Sequence, residues 1–358
     1  MKSLFRHAFA ALAAALLLAA AAPDAAAWSG QQHLQVTRAA GKNVPNEMRA
    51  FRPFSWPMAY PSVYPDLWKM SDYDEEGIRH YFEPDRLRRG FDLAQLPDDP
   101  AKLYAVAHVR PEEIGTAPWV VRDLTREMAN AMRTNDWLWA ARVGAALGHY
   151  AGDLHMPLHC TRNFNGQESG QNGVHTRIES DLIKSFFRTD LFEQAPYQLG
   201  KPVYIDDPFR TAVQWASDSY QMSHKWLRAD REAFRAANRR NDTEDYYRAL
   251  WDLIGDSVAV RLSQAATDLS SLYYTAWVDA GKPAIPEPFE ELPSVSIWNP
   301  AIDIESGDGG QSTLPGQSRK TKNVYDMLIL GFIAGVACLV LFRVLLRTFQ
   351  PAWQKRRK

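Results

Sequence analysis

Val120, Val121, Leu124, Met128 and Met132 recur every three or four residues, a spacing that lays one apolar stripe along a helix. A second helix is predicted from a cap at Asn135 or Asp136 into Leu147 and Tyr150. A third runs from about residue 207 through the Arg/Ala-rich stretch 231–239. A long fourth, from about 243 to 279, carries Leu250, Leu253, Ile254, Val258, Leu262 and Leu269. The two-residue alternation of half-buried strands is scarce, and no internal repeat is visible. The pattern predicts one all-α domain, a multi-helix bundle, over residues 28–282.

Two further apolar runs flank that domain. Residues 1–27 read as a secretory signal, with Lys2, Arg6 and His7 as a basic start, an Ala/Leu run behind them, and Ala25, Ala26 and Ala27 as small residues for cleavage. The mature chain is then expected to begin at Trp28. At the other end, 327–342 is uninterrupted and continues past Arg343 to Leu346, so 324–346 is predicted to be a C-terminal transmembrane helix of about the 20 residues a span needs. The basic tail 347–358, ending in Lys355, Arg356, Arg357 and Lys358, places the C-terminus in the cytoplasm. Residues 283–323 are rich in Pro, Gly, Ser and acidic residues and read as a flexible linker. The helical domain is therefore expected to face the periplasm or the cell exterior, tethered to the membrane.

Composition narrows this only a little. With 46% hydrophobic and 23% charged residues, the 358-residue chain has a core to bury. A formal net charge of -1 provides no global field that would draw a polyanion or an acidic surface. Cys160 and Cys338 are the two cysteines, and the second lies in the predicted span, which excludes an internal disulfide between them. A large core or bound metal must then supply rigidity.

The chemistry concentrates between residues 148 and 179. His149 and Asp153 are four apart, so on a helix both project from one face and can grip one ion. Pro157 should kink or end that helix, which turns His159 toward a face that its helical phase would miss. His175 and Glu179 form a second pair at the same spacing. Upstream, Asp66 and His80 add a carboxylate and an imidazole. Imidazoles and carboxylates without cysteine ligands suit a catalytic zinc rather than a zinc-finger site. His155 has no ligand slot; it serves as a group behind the ligands, faces a phosphate, or simply packs. Cys160 reads as a buried free thiol, and His108 and His224 as ordinary histidines. Trp56 and Trp68 are weak candidates for a substrate wall, and 163–166 (Asn-Phe-Asn-Gly) reads as a turn beside the cleft.

The order Asp66, His80, His149-x3-Asp153-x5-His159, His175-x3-Glu179, with Trp28 at a processed N-terminus, resembles the zinc-dependent phospholipase C and single-strand-specific nuclease superfamily. The resemblance covers essentially the whole exported domain. It implies three zinc ions at the bottom of a cleft in an α-helical bundle. Carried over residue by residue, it assigns Asp66, His80, His149 and Asp153 to one zinc and His159, His175 and Glu179 to a second. Asp153, His33 and the backbone of Trp28 take the third. A free α-amino nitrogen and the carbonyl of the same residue can chelate a metal together, and an amine of reference pKa about 7.7–8.0 deprotonates easily on one. Signal cleavage would thereby complete the site.

Clustered zinc hydrolyses phosphate esters, with Asp66 also available to orient or deprotonate the water. Glu179 and the fourteen-residue step from Asp66 to His80 resemble the phospholipase branch; the five-residue step from Trp28 to His33 resembles the nuclease branch. The expected function is a zinc phosphodiesterase, phospholipase C-like, acting on a phospholipid. The alternatives are a single-strand-specific nuclease or nucleotidase acting on nucleic acid, and a non-catalytic zinc-binding module. No protein partner is inferred.

Overall fold

The structure, a computed structural model, describes residues 30–71, 73–186 and 199–300. Among them stand six α-helices of eight or more residues and no β-strand. They are α1 (Gly30–Asn43), α2 (Tyr64–Ser71), α3 (Ala117–Arg133), α4 (Trp137–Leu154), α5 (Pro208–Ala236) and α6 (Glu244–Asp279). Short 3-10 and single-turn α segments fill most of 46–63 and 73–114. The described residues are all-helical, as the periodicity predicts.

Capping side chains set where three of the long helices, α4, α5 and α6, begin. Asp136, Asp207 and Thr243 accept hydrogen bonds from the backbone N–H of Trp139 (3.0 Å), Arg210 (3.0 Å) and Tyr246 (3.3 Å). Each satisfies a donor that the first helical turn leaves without a partner. Asn135, the other candidate cap for α4, instead adopts a left-handed φ of 62° and accepts from the Trp137 indole. Pro157 ends α4 rather than kinking it. The helix stops at Leu154, Met156 is extended, and a 3-10 turn follows over Pro157–Cys160.

Helix α4 is the centre of the bundle. α3 packs along it, α1 crosses it, and α6 lies against α1, α3, α4 and α5. Every residue from Val143 to Leu154 is buried, so a helix apolar on all sides carries His149 and Asp153 into the interior. Glycines at 144, 148 and 152 lie four apart along it. A Cβ at Gly148 would stand 2.3 Å from Thr37 Oγ1, and one at Gly152 would stand 3.0 Å from His33 Nδ1. Each glycine costs a helix interior about 1 kcal/mol relative to alanine. The bare backbone lets the Thr37 and His33 side chains of α1 press onto α4 more closely than an added Cβ would comfortably allow.

After α6, Gly281 and Lys282 take left-handed φ values of 90° and 55°, which terminates the helix. No helix follows through residue 300. Residues up to Leu292 belong to one compact unit, in which the Phe289 ring meets Phe54 edge-on at 6.0 Å. Residues 293–300 belong to a second unit. The predicted signal 1–27, Trp28, the linker beyond 300, the span 324–346 and the tail 347–358 lie outside the described residues. Among the described residues no helix is long and apolar enough to cross a membrane.

Candidate metal centre

Four side chains from three segments meet beside the middle of α4. Asp66 comes from the first turn of α2, His80 from the end of a 3-10 turn (Gly77–His80), and His149 and Asp153 from successive turns of α4. His80 Nδ1 lies 3.0 Å from Asp153 Oδ2 and 3.0 Å from His149 Nε2. His149 Nε2 lies 3.4 Å from Asp153 Oδ2 and 3.6 Å from Asp66 Oδ1; His80 Nδ1 is 3.9 Å from that same Asp66 oxygen. Tetrahedral zinc with bonds of about 2.0–2.1 Å sets its donor atoms roughly 3.3–3.4 Å apart. The five separations among the four donors predicted for one ion, 3.0–3.9 Å, bracket that spacing.

What holds each ring also decides which nitrogen is free. His149 Nδ1 donates to the Ser62 carbonyl at 2.8 Å, and His159 Nδ1 to the His80 carbonyl at 2.8 Å. His80 Nε2 faces Glu76 Oε1 at 3.2 Å, and Glu76, itself buried, also accepts from Arg79 at 2.8 Å and from the Tyr150 hydroxyl. A proton fixed on one nitrogen leaves a lone pair on the other. Glu76 thus orients His80. Replacing Glu76 with Ala is expected to weaken zinc binding about 10- to 100-fold while the helical circular dichroism persists. A competition titration that finds wild-type affinity in this variant would remove Glu76 from the account.

The second cluster forms where two irregular segments converge. The 3-10 turn after α4 delivers His159, while His175 sits in a short helix (Val174–Thr176) that runs into a π-helical stretch (Arg177–Leu182) carrying Glu179. Wide turns of this kind occur often at functional sites. His175 Nε2 lies 2.6 Å from Glu179 Oε2, and His159 Nε2 lies 3.9 Å from the same oxygen. The predicted turn at 163–166 is present, closed by Gly166 at φ 74°, and sets the Phe164 ring edge-on to His175 at 6.1 Å.

His33, from the first turn of α1, completes the arrangement. Its ring stacks on His149 at 3.8 Å between centroids, and its Nε2 lies 3.4 Å from Asp153 Oδ1. Asp153 therefore presents Oδ1 to His33 and Oδ2 to His80 and His149, the geometry of a carboxylate shared between two ions. Its expected companion in the third set, Trp28, lies outside the described residues.

Burial makes the cluster electrostatically incomplete. Nine buried nitrogen and oxygen atoms of His33, Asp66, Asp153, His159, His175 and Glu179 make no well-formed hydrogen bond, although Asp66 Oδ1 meets Lys69 Nζ and Glu179 Oε2 meets His175 Nε2, each at 2.6 Å. Such atoms are costly unless a ligand or ion pairs them. Burial raises the Asp66 carboxyl, but the charges of His149, Lys69 and His80 outweigh it and hold the group at about 2. Burial raises Asp153 as well, and the neighbouring His149 and His159 prevail, keeping it well below the carboxylate range. Glu179 goes the other way, driven well up by burial, with the Asp66 and Asp153 charges adding to it. Burial holds His175 down at about 4 and His149 well below its ordinary value. The imidazoles of His149, His159 and His175, which burial holds below their ordinary value, and the buried carboxylates form a donor set for a divalent cation.

The remaining candidates separate clearly. His155 is buried with Nδ1 at 2.7 Å from the Ala151 carbonyl and Nε2 at 2.8 Å from Asp268, so it ties α4 to α6 and faces no open site. Cys160 is fully buried against the Leu154 carbonyl, and burial pushes its thiol far up. Trp68 is buried and forms no wall, whereas Trp56 is 63% exposed under the Arg38 guanidinium. His108 and His224 are exposed and distant in role. Sequence reasoning missed two charged neighbours. Glu76 is one; Lys69 is the other, with Nζ 2.6 Å from Asp66 Oδ1 and its side chain 13% exposed. Both carry a spacing signal, since Glu76 precedes His80 by four and Lys69 follows Asp66 by three.

No family model and no curated relative matches the chain. Among solved structures it is similar to an alpha toxin from Clostridium absonum, at 17% identity and a TM-score of 0.39, over 72% of this chain. The chain spans 65% of that protein's length.

Proposed function

We propose that the protein is a zinc-dependent phosphoesterase, phospholipase C-like, that holds three ions and works outside the cytoplasm on a membrane tether formed by residues 324–346. The supporting observation is the sharing of Asp153: one buried carboxylate faces two donor sets, and a third set stands beside it. A purely structural zinc needs four closed ligands and no neighbours. Asp66, His80, His149 and Asp153 would hold one ion, His159, His175 and Glu179 a second, and Asp153, His33 and a processed Trp28 terminus the third. Bound there, zinc would polarise a phosphoryl oxygen and lower the pKa of water to about 7.

The protein's own groups set the rest. Asp66, a ligand through Oδ1, would orient the attacking water by accepting its hydrogen bond on the other oxygen. Lys69 stands at the same carboxylate with part of its side chain in solvent, where it can meet a non-bridging phosphate oxygen. Lys69→Ala is expected to lower kcat/KM about 100-fold with metal content unchanged. Loss of zinc in that variant would instead make Lys69 a structural partner of Asp66.

The deciding experiment combines metal analysis of the full chain with hydrolysis of phosphatidylcholine, single-stranded DNA and nucleoside monophosphates. Activity on phosphatidylcholine that a chelator abolishes is expected. Turnover of the nucleic-acid substrates alone would move the reading to the nuclease branch, and bound zinc with no turnover would make this a binding module.

A further inference from the structure

On the other face of the segment carrying His175 and Glu179 lies a cleft of about 460 Å³. His175 and Glu179 are one turn apart and face the metal donors, while Arg177 between them points away into this cleft, among Gln171 and Asp230. Arg177 is fully engaged. Its Nη2 lies 3.0 Å from Asp230 Oδ1, its Nη1 donates to the Asn172 carbonyl at 2.8 Å, and its Nε donates to the Tyr246 hydroxyl at 3.1 Å. Asp230 is equally committed, accepting also from Gln171 Nε2 at 2.6 Å and from the Tyr246 hydroxyl. One buried carboxylate and one buried guanidinium cancel, and the cleft floor is neutral.

Its wall is not. Arg231, Arg235 and Arg239 line the cleft, and none of the three guanidinium groups has a hydrogen-bond or ion-pair partner among the described residues. Arg231 and Arg235 are four apart on α5, a spacing at which like charges repel. Arg239 is brought to the same cleft past the end of α5 by two consecutive left-handed residues, Asn238 at φ 55° and Arg239 at φ 63°, closed by a hydrogen bond from Arg239 N to the Phe234 carbonyl at 2.8 Å. The negative end of α5 amounts to about half a charge, which offsets only part of three. Guanidinium forks that line one cleft without a carboxylate partner of their own suit the paired oxygens of phosphate.

We propose that this cleft binds a phosphate monoester or orthophosphate dianion at a site separate from the metal centre. Arg231, Arg235 and Arg239 would grip the anion over the Gln171 and Arg177 floor. The site does not depend on the zinc reading, because no donor of the metal clusters lines it.

Calorimetric titration of the full chain with orthophosphate and with glycerol 1-phosphate, at fixed ionic strength and with chelator present, isolates the cleft from any phosphate held by zinc. One site is expected, and Arg231→Gln/Arg235→Gln/Arg239→Gln should weaken it at least tenfold. The same triple variant without chelator should keep its zinc and its hydrolysis of a soluble ester, so failure of the metal reading and failure of the cleft give different results. Tighter binding of glycerol 1-phosphate than of orthophosphate would identify a lipid headgroup as the source; the reverse order would identify free phosphate. No binding by the chelated protein, equal binding by the triple variant, or binding of an oligonucleotide but neither small phosphate would overturn the proposal.

Discussion

Asp153→Asn is expected to abolish hydrolysis and to remove two ions together. An amide keeps the volume but cannot place an anionic oxygen toward both His33 and the His80–His149 pair, which Asp153 faces at 3.4 Å and at 3.0 and 3.4 Å. The cluster of His159, His175 and Glu179 has its own donors and should retain its ion. Loss of kcat/KM by about 10³-fold or more, at least ~4 kcal/mol of transition-state stabilisation, is the expected scale. Zinc measured per chain by atomic emission provides the check. If Asp153→Asn carries the full wild-type complement, the shared carboxylate is not the hub of the centre.

Metal removal should cost the fold nearly as much as that substitution costs activity. Both His33 ring nitrogens and Asp153 Oδ1, which lack hydrogen-bond partners, are satisfied when an ion binds, so the loaded protein should melt well above the stripped one. At free zinc about 1,000-fold above the dissociation constant, binding stabilises by about 4 kcal/mol, or roughly 8–16 °C for a domain of this size. Scanning calorimetry with and without chelator reads the difference directly. Coincident transitions would mean that His33, Asp153 and Glu179 find partners within the protein, and the donor set would lose its reason to exist.

The parts of the fold and site that could be read from sequence are those whose cause is local. Asp136, Asp207 and Thr243 announce helix starts because a capping side chain acts within three residues. His149 with Asp153, and His175 with Glu179, are visible because a helical turn forces four-residue neighbours together. The anchors escaped notice because backbone carbonyls carry no residue signature: Ser62 holds His149 and His80 holds His159 through main-chain oxygens. The π-helical turn under Glu179 likewise has no periodicity of its own to betray it. Lys69 was overlooked for a different reason. A lysine three residues past an aspartate looks like an ordinary surface pair until tertiary packing encloses it. The arginines at 231, 235 and 239 were visible as helix composition, but the cleft they share needs the loop from 169 to 172 to close its other side.

The glycine line on α4 carries a consequence for ion choice. Bare α4 backbone at Gly148 and Gly152 faces the Thr37 and His33 side chains of α1, so α4 has no side chain there to repack and the gap acts as a rigid gauge. His33 rides on one helix and Asp153 on the other, and the room between them is therefore set by α1 side chains packed on the bare backbone of α4. A divalent cation of larger radius is expected to occupy this position last, after the two that draw donors from short irregular segments, His80 in one and His159 and Glu179 in the other. Sequential loading followed by the perturbation of the His33 ring in NMR would reveal that ranking, and simultaneous filling of all positions would refute it.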